Sequence, residues 1–216
     1  MAQKVGVLGS GQVGQVLAAG FKRHGYDVTI GSREPEKLKA WQAAAGQGVA
    51  LGTFAEAAAA GDIVVLAVKG TVASEALKLA GAANLKGKLV IDATNPIAEA
   101  PPEQGVLKFF TDLTSSLMEK LQAEHPDAKF VKAFSSVGSA QMVNPSYPGG
   151  RPTMFIAGND AAAKTKVGQI LDQFGWDVED MGTAAGARAI EPLCIVWCLP
   201  GFLRNQWNHA FKVLKP

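Results

Sequence analysis

A glycine-rich turn between a predicted strand and a predicted helix constrains this chain more than any other feature. The segment Gly9–Gly14 has the sequence GSGQVG, follows the apolar run Lys4–Gly9 and opens the helical pattern Gln12–His24. In that context the first glycine permits a tight turn, the second lets a pyrophosphate approach the backbone, and the third lets the helix pack closely on the strand. The helix N–H groups and dipole attract phosphate charge. The sequence therefore predicts a dinucleotide site at Gly9, Ser10, Gly11, Gln12, Val13 and Gly14.

Strand and helix patterns alternate along the rest of the chain. The predicted strands are Lys4–Gly9, Tyr26–Ile30, Val49–Leu51, Asp62–Lys69, Lys88–Asp92, Lys129–Phe134, Thr153–Ala157 and Trp176–Glu179. The predicted helices are Gln12–His24, Glu34–Ala45, Phe54–Ala60, Thr71–Ala80, Asp112–Ala123, Asp160–Phe174 and Ala185–Leu214, the last with breaks at Pro192 and Pro200. Such alternation favours parallel βαβ units with right-handed crossovers. We expect an α/β fold with a doubly wound, mostly parallel Rossmann-type sheet and a helical C-terminal extension.

Length and composition favour one compact unit. We expect a dinucleotide-binding Rossmann core over residues 1–137 and a C-terminal part, 138–216, that completes the sheet and the ligand cleft. The net charge of +2 gives no argument for binding nucleic acid or membrane. The N-terminus lacks the features of a signal peptide and no apolar run is long enough for a bilayer span, which predicts a cytoplasmic protein. Cys194 and Cys198 are expected to be packing residues, with no metal site.

The end of the second strand predicts which dinucleotide binds. NAD sites usually carry an acidic residue there to bind the ribose hydroxyls, whereas this chain has Gly31, Ser32 and Arg33, with Glu34 after them. A carboxylate would repel a 2′-phosphate, while a guanidinium attracts one and can bind it in a fork. Ser32 can donate a further hydrogen bond. These residues favour NADP; the alternative is that Arg33 is a solvated surface residue.

Further candidate residues follow other strands at the same edge of the predicted sheet. Ala67, Val68 and Lys69 end the fourth strand, and Asn95 and Pro96 begin the long loop 93–111. Asn95 can hold a nicotinamide carboxamide, or it can simply form an Asx turn before proline. Phe134 and Ser136 begin the second long loop. They can contact cofactor and substrate, or they can be a buried aromatic residue and a turn serine.

A third segment of small residues, 182–188, follows the last predicted strand. Its members Gly182, Thr183 and Ala184 can bring backbone amides close to a flat ligand. Arg188 and Glu191 are three residues apart and are expected to pair on a helix. His24, His125 and His209 are expected to be exposed or packing residues, His209 within the last helix. The sequence therefore offers no catalytic acid–base residue, and hydride transfer between two rings does not need one because the cofactor carries the chemistry.

The ordered motifs resemble a known family of reductases. GSGQVG, GSREPEK, DATNP, KAFSSVG and GTAAGARAIEPL occur in this order over nearly the whole chain. The set resembles the NADP-dependent coenzyme F420 (deazaflavin) reductases and the NADPH-binding domain of six-transmembrane ferric reductases. The chain departs from those relatives at Ser135, where asparagine is usual, and at Thr183 and Ala184, where proline and leucine are usual.

The resemblance implies NADP along the glycine turn, with Ser32 and Arg33 on its 2′-phosphate. It also implies a deazaflavin or flavin ring stacked on the nicotinamide near Asn95, Pro96 and 182–188. Two other functions stay open: an NADPH-dependent reductase of a small organic substrate, and a non-catalytic module that senses NADP. The apolar C-terminal segment with Trp197, Phe202 and Trp207 favours a homodimer, unless these rings cover the domain's own core.

Overall fold

The computed structural model describes residues 2–216, which form one sheet of eight strands. The strand order across the sheet is β3-β2-β1-β4-β5-β6-β7-β8. The strands are β1 (Lys4–Leu8), β2 (Asp27–Gly31), β3 (Ala50–Gly52), β4 (Ile63–Leu66), β5 (Leu89–Asp92), β6 (Lys129–Lys132), β7 (Thr153–Gly158) and β8 (Asp177–Asp180). This order is that of a Rossmann-type sheet, so the predicted fold class is confirmed.

Helices cover both faces of the sheet. They are α1 (Gln12–Arg23), α2 (Lys39–Ala44), α3 (Phe54–Ala60), α4 (Ala73–Ala80), α5 (Ala82–Leu85), α6 (Leu117–Glu124), α7 (Ala161–Gln173), α8 (Ala187–Ile190) and α9 (Leu193–Arg204). Short 3₁₀ turns precede several of them, at Pro35–Leu38, Gly70–Val72, Ser139–Gln141 and Ala184–Gly186. Helices α1 and α7 pack on one face, while α3, α4, α6 and α8 pack on the other.

Local sequence explains where the central elements begin and end. Strand β4 is buried along its whole length because both of its faces carry a helix layer, as its continuous apolar run predicts. Helix α3 begins after Thr53, whose hydroxyl accepts from the Glu56 N–H while the Glu56 side chain accepts from the Thr53 N–H. This reciprocal cap satisfies two backbone donors that the helix itself leaves unpaired.

Strand direction changes once across the sheet. Strands β1 to β6 are all parallel, whereas β7 runs antiparallel to β6 and β8 runs parallel to β7. The carboxyl ends of β7 and β8 therefore point away from the edge at which β1 to β6 end. A run of apolar residues predicts a strand but carries no sign of its direction, so the sequence did not predict this reversal.

The C-terminal segment differs from the predicted helix Ala185–Leu214. Pro192 does separate α8 from α9, but Pro200 lies inside α9 without ending it. Helix α9 ends at Arg204, where Asn205 takes the left-handed conformation with φ of 53°. Residues 205–216 form no helix, so the placement of His209 in a helix was wrong. This tail runs back along the start of β7, where the Thr153 N–H donates to the Phe211 carbonyl at 2.8 Å.

The helical segment Ala184–Arg204 corrects the expectation that no apolar segment is long enough to span a bilayer. By length and composition alone it is long and apolar enough to cross a membrane, with a mean hydropathy of 1.3 and 33% of its residues buried in the domain. Arg188 and Glu191 interrupt the apolar sequence, which is why no continuous run is visible there. Such a segment is weak support for a membrane span, because core helices of globular proteins have the same composition.

Candidate functional site

The glycine turn has the geometry that a pyrophosphate site requires. Gly9 has φ of 132°, and a Cβ placed there would lie 2.2 Å from the Ala67 carbonyl oxygen. A Cβ on Gly14 would lie 2.0 Å from the Gly9 carbonyl oxygen. By contrast, a Cβ on Gly11 would meet nothing within 4 Å. Two glycines thus allow close packing within the turn, and the third leaves open space above the first N–H groups of α1 for an approaching phosphate.

Side chains around the turn hold its outer rim. Gln15 donates from Nε2 to the Ser10 carbonyl at 2.9 Å. The Ser32 hydroxyl donates to Ser10 Oγ at 3.2 Å and accepts from the Glu34 N–H at 3.1 Å. Ser32 is itself nearly buried, so its hydroxyl joins the end of β2 to the glycine turn. This arrangement places Ser32 and Ser10 beside one another at the predicted phosphate-binding end.

Arg33 lies beside this rim and is exposed. Its guanidinium pairs with no carboxylate among residues 2–216, whereas the neighbouring Glu34 carboxylate is paired with Lys37 at 2.8 Å. Glu34, the acidic residue that follows the end of β2, is therefore already paired with Lys37. The structure thus brings an exposed cation, a buried serine hydroxyl and an open glycine turn together, and their binding of a 2′-phosphate stays a prediction.

A cleft of about 640 Å³ lies at the carboxyl ends of β1, β4 and β5, beside the glycine turn. It is lined by Val13 of α1, by residues that follow β4 (Val68, Lys69, Gly70, Thr71) and by residues of the loop after β5 (Ala93, Thr94, Asn95, Ile97, Ala98, Glu99, Ala100). The lining is mostly aliphatic and small. Of the other predicted residues, Ala67 packs behind Gly9, and Pro96 is buried and accepts from the Phe110 N–H at 2.9 Å.

Asn95 fixes one wall of this cleft. Its side-chain Nδ2 donates to the Ser135 carbonyl at 2.7 Å, which ties the loop after β5 to the loop after β6. Its Oδ1 is buried and accepts no hydrogen bond from residues 2–216. The Asx turn is therefore wrong, since it would require Oδ1 to accept from a following N–H. The amide instead ties two loops together at a residue that borders the cleft, and its contact with a nicotinamide carboxamide stays a prediction.

Phe134 and Ser136 do not border the cleft, which corrects their assignment as ligand-contacting residues. Phe134 is fully buried, and its ring lies 6.2 Å from the Phe174 ring within the core. Its φ of 63° is unusual for a residue that is not glycine and turns the chain sharply at the end of β6. Ser136 is also buried. The other interpretation of the sequence therefore applies: Phe134 is a buried aromatic residue and Ser136 is a serine in a turn.

Gly182, Thr183 and Ala184 lie away from the cleft, and their predicted role was wrong. They follow β8, which ends at the opposite edge of the sheet because β7 and β8 run against β1 to β6. There the Gly182 carbonyl accepts from the Gly158 N–H at 3.1 Å and from Lys164 Nζ at 3.0 Å. This loop serves packing at the start of α8.

The expected pair between Arg188 and Glu191 was also wrong. Arg188 forms a two-pronged ion pair with Glu119 of α6, with its shortest contact at 2.7 Å. These hydrogen bonds from Arg188 hold the pKa of Glu119 below its usual range. Glu191 turns inward and is almost completely buried. Their spacing on a helix permits the pair, but Arg188 binds Glu119 of α6 and Glu191 binds Lys132 of β6 instead.

Sequence reasoning missed a buried charged cluster just behind the cleft. Lys132, at the end of β6, lies beside Asp92, at the end of β5, and both are fully buried. The Lys132 ammonium contacts Asp92 Oδ2 at 2.7 Å, Glu191 Oε1 at 2.9 Å and the Thr94 carbonyl at 2.9 Å. Burial alone would lower the pKa of Lys132, but the Asp92 and Glu191 carboxylates raise it above its usual value. The ammonium therefore stays charged, with two carboxylates as ion-pair partners and the Thr94 carbonyl as hydrogen-bond acceptor.

The two carboxylates of this cluster organise the backbone around them. Asp92 Oδ1 accepts from the Thr94 N–H at 2.9 Å and from the Thr94 hydroxyl at 2.7 Å. Glu191 accepts from the Leu117 and Met118 N–H groups at 2.9 and 3.1 Å, which caps the first turn of α6. Polar residues at the ends of two adjacent buried strands were the signal in the sequence that would have pointed to this cluster.

Comparison with known proteins gives the family. Residues 4–96 match the family described as NADP oxidoreductase, coenzyme F420-dependent. A crystal structure of a candidate F420-dependent NADP-reductase from Arthrobacter sp. FB24 is 34% identical, covers 100% of both chains and has a TM-score of 0.91. A hypothetical protein, SMa0349 from Sinorhizobium meliloti, is 24% identical over 100% of this chain and 97% of that one, with a TM-score of 0.75, and shows the fold alone.

A curated relative extends the comparison. Metalloreductase STEAP3 from Rattus norvegicus is 30% identical over 227 residues, which cover 100% of this chain and 43% of STEAP3. The chain thus spans less than half the length of that relative. Together with the full-length similarity to the Arthrobacter structure, these matches show that the chain belongs to the F420-dependent NADP oxidoreductase family. The family is described as one of NADP oxidoreductases, and this chain has an α/β fold.

The open space at Gly11 generates a prediction about dinucleotide binding. Gly11→Val should abolish measurable NADPH binding, because the side chain fills the space that the phosphate needs, while its Cβ meets no atom of the fold within 4 Å. Its thermal midpoint should stay close to that of the wild type. Gly14→Ala is the matched control. Its Cβ would collide with the Gly9 carbonyl, so it should lower the free energy of unfolding by about 1–3 kcal/mol. Titration calorimetry and thermal unfolding measure both, and normal NADPH affinity in Gly11→Val would place the pyrophosphate elsewhere.

Proposed function

We propose that this oxidoreductase transfers a hydride between NADP(H) and a flat redox ring, a deazaflavin or a flavin. The observation that carries the proposal is the cleft of about 640 Å³, which begins at the glycine turn and is walled mainly by small and aliphatic residues. A cleft of this kind suits a planar ring laid against the nicotinamide. The descriptions of the family and of the Arthrobacter relative both refer to F420 and support the same class of acceptor.

The dinucleotide has a continuous path along the parallel strands. We propose that Ser32 and Arg33 bind the 2′-phosphate and that Gly9 to Gly14 hold the pyrophosphate. The nicotinamide then enters the cleft past Val13, Val68 and Lys69 and places its carboxamide beside Asn95. When bound, NADPH supplies a hydride, and the acceptor ring takes up this hydride together with one proton from solvent. The chain's own residues position the two rings.

The histidines support a mechanism without a side-chain acid. None of the three lines the cleft. His24 Nε2 lies 3.1 Å from Asn144 Oδ1, and its ring packs at a tilt against Phe174. His125 is the C-cap residue of α6, and His209 stacks on Trp197. The Thr94 hydroxyl is already donated to Asp92. Catalysis would then rest on holding two rings at reaction distance, which can lower a barrier by roughly 7 kcal/mol or more.

A small-substrate reductase is the second candidate function, and Lys69 is the observation that favours it. Lys69 is exposed at the cleft and carries an ammonium that can protonate a substrate. A sensing module without catalysis would bind NADPH equally well but would turn over no acceptor. Steady-state NADPH oxidation with flavins, deazaflavins, imines and ketones separates these three functions.

Cofactor choice is expected to depend on Arg33. NADPH should bind at least tenfold more tightly than NADH, or about 1.4 kcal/mol. Arg33→Ala should remove most of that preference by weakening NADPH and leaving NADH nearly unchanged. Lys37→Ala is the control, because Lys37 is a nearby cation that is already paired with Glu34. Equal affinities for NADPH and NADH in the wild type, measured by calorimetry, would exclude Ser32 and Arg33 as the 2′-phosphate site.

Ring-to-ring transfer predicts that no single polar side chain is indispensable. Asn95→Ala, Ser136→Ala, Lys69→Met and the three histidine-to-alanine variants should each retain measurable turnover with a flavin or deazaflavin acceptor. The rate should lack a steep dependence on one ionisation between about pH 6 and 8, the range in which a histidine acid would titrate. A bell-shaped pH profile together with one inactive variant would instead support the small-substrate reductase.

We further propose a cytoplasmic homodimer that binds neither nucleic acid nor membrane. Helix α9 is held to its own domain on one side, where Cys194 and Trp197 are buried and Trp197 Nε1 donates to the His209 carbonyl at 2.8 Å. Its other side exposes a row of apolar side chains: Val196, Phe202 and Leu203. A second copy of the chain would cover this row and make α9 part of an interface.

The proposed dimer predicts a concentration-dependent mass. Sedimentation equilibrium should give twice the chain mass for the wild type, and Val196→Glu/Leu203→Glu should give the monomer with unchanged NADPH affinity. Flotation with anionic lipid vesicles should leave the wild type in the lower fraction. A monomeric wild type would remove the dimer proposal, and a wild type that floats would assign the exposed row on α9 to lipid.

A further inference from the structure

We propose that Lys132 is a positioning residue for hydride transfer, which acts through Thr94 and Asn95 on the nicotinamide and links their placement to the C-terminal helices. This inference rests on the proposed function, since it assigns the nicotinamide to the cleft beside Asn95. The observation behind it is the fully buried cluster of Lys132, Asp92 and Glu191, which the hydride-transfer chemistry itself does not use.

The cluster holds the cleft wall from behind. Residues 92–95 leave β5 at the sheet edge, and three hydrogen bonds fix their course. The Thr94 carbonyl accepts from Lys132, and the Thr94 N–H and hydroxyl both donate to Asp92. Asn95 follows directly and donates to the Ser135 carbonyl at 2.7 Å. The Thr94 N–H, hydroxyl proton and carbonyl are thereby all bonded to the cluster, so the cluster fixes the backbone from which Asn95 borders the cleft.

The same ammonium connects this wall to the C-terminal part of the chain. Glu191 lies between α8 and α9, contacts Lys132 at 2.9 Å and caps α6 through the Leu117 and Met118 N–H groups. One buried cation therefore joins the ends of β5 and β6, the start of α6 and the start of α9. A movement of α9 changes the contacts of Lys132, and through them the position of Thr94.

The cost of burying these charges indicates that the cluster serves to position the cleft wall rather than to stabilise the fold. Burying three charged groups carries a large desolvation cost, and well-packed apolar side chains of similar volume often replace such clusters without loss of stability. Removal of Lys132 alone would leave two buried carboxylates without a cation. A fair test therefore neutralises all three groups together and keeps their size.

The test variant is Asp92→Asn/Lys132→Met/Glu191→Gln. Each new amide keeps one acceptor oxygen, which can still accept from Thr94 at position 92 and from one of the two α6 N–H groups at position 191. The variant therefore removes the charges, the contact from Lys132 to the Thr94 carbonyl and one of the two bonds that cap α6. Lys129→Met is the matched control: Lys129 begins the same strand, and its ion pair with Asp160 at 3.1 Å is on the surface. Thermal unfolding and the affinity for 2′,5′-ADP, which lacks the nicotinamide, report whether the fold and the phosphate end are intact.

If Lys132 positions the nicotinamide, the triple variant should lose affinity for the nicotinamide half of the dinucleotide and keep its affinity for the adenosine half. The triple variant should bind 2′,5′-ADP within about twofold of the wild type, while its affinity for NADPH falls by at least fivefold, or about 1 kcal/mol. With a flavin acceptor, kcat should fall at least tenfold, and the primary isotope effect with NADPH deuterated at the transferred position should increase. A folded triple variant with wild-type NADPH affinity and kcat would overturn the proposal.

Two further measurements keep the outcome interpretable. If the triple variant does not bind 2′,5′-ADP, Glu191→Gln decides, because it keeps the Lys132–Asp92 pair and weakens the contacts of Glu191 with Lys132 and with the first turn of α6. Unchanged kcat and NADPH affinity in that variant would overturn the proposal, and a selective loss of both would support it. If neither flavins nor deazaflavins support NADPH oxidation by the wild type, the proposed function fails. The ratio of the affinities for NADPH and 2′,5′-ADP still tests the positioning role of Lys132 in that case.

Discussion

Six neighbouring strands, β1 to β6, run in the same direction, and their carboxyl ends therefore lie along one edge of the sheet. Every part of the dinucleotide site follows from this alignment. The glycine turn follows β1, Ser32 and Arg33 follow β2, and the cleft lies where β4 and β5 end. Residues that are far apart in the chain meet there only because each strand delivers its next residues to the same edge.

The fold was predictable, and so was the position of the glycine turn, Ser32 and Arg33 at one edge of the sheet, because their signals are local. A short apolar run followed by GSGQVG specifies a strand, a turn and a helix within about fifteen residues, and Ser32 and Arg33 sit where that motif places a ribose. Strand direction beyond β6 was not predictable in this way. The reversal at β7 places Gly182, Thr183 and Ala184 at the other edge of the sheet, although the small residues of that loop gave it the composition of a binding segment.

The buried cluster shows a second limit of sequence reasoning. Asp92, Lys132 and Glu191 are separated by 40 and 59 residues, and each alone suggests a charged residue at the end of an element. Only their three-dimensional arrangement shows that an ammonium has two carboxylates and a carbonyl within 3 Å. Arg188 and Glu191 illustrate the converse, since suitable spacing predicted a pair that tertiary contacts replaced. Pairing of charges across elements depends on packing that no periodicity encodes.

The backbone of Phe134 limits how this region can change over evolution. Its φ of 63° is a conformation that glycine adopts freely, yet its ring is completely buried beside Phe174. Glycine at this position would relieve a backbone strain of about 1–2 kcal/mol, but the loss of a buried phenyl group costs about 3–5 kcal/mol. Substitutions that keep the ring keep the strain, and those that remove the strain lose the ring. Position 134 should therefore tolerate very few residues, which preserves the turn carrying the Ser135 carbonyl even if the exposed residues around it drift.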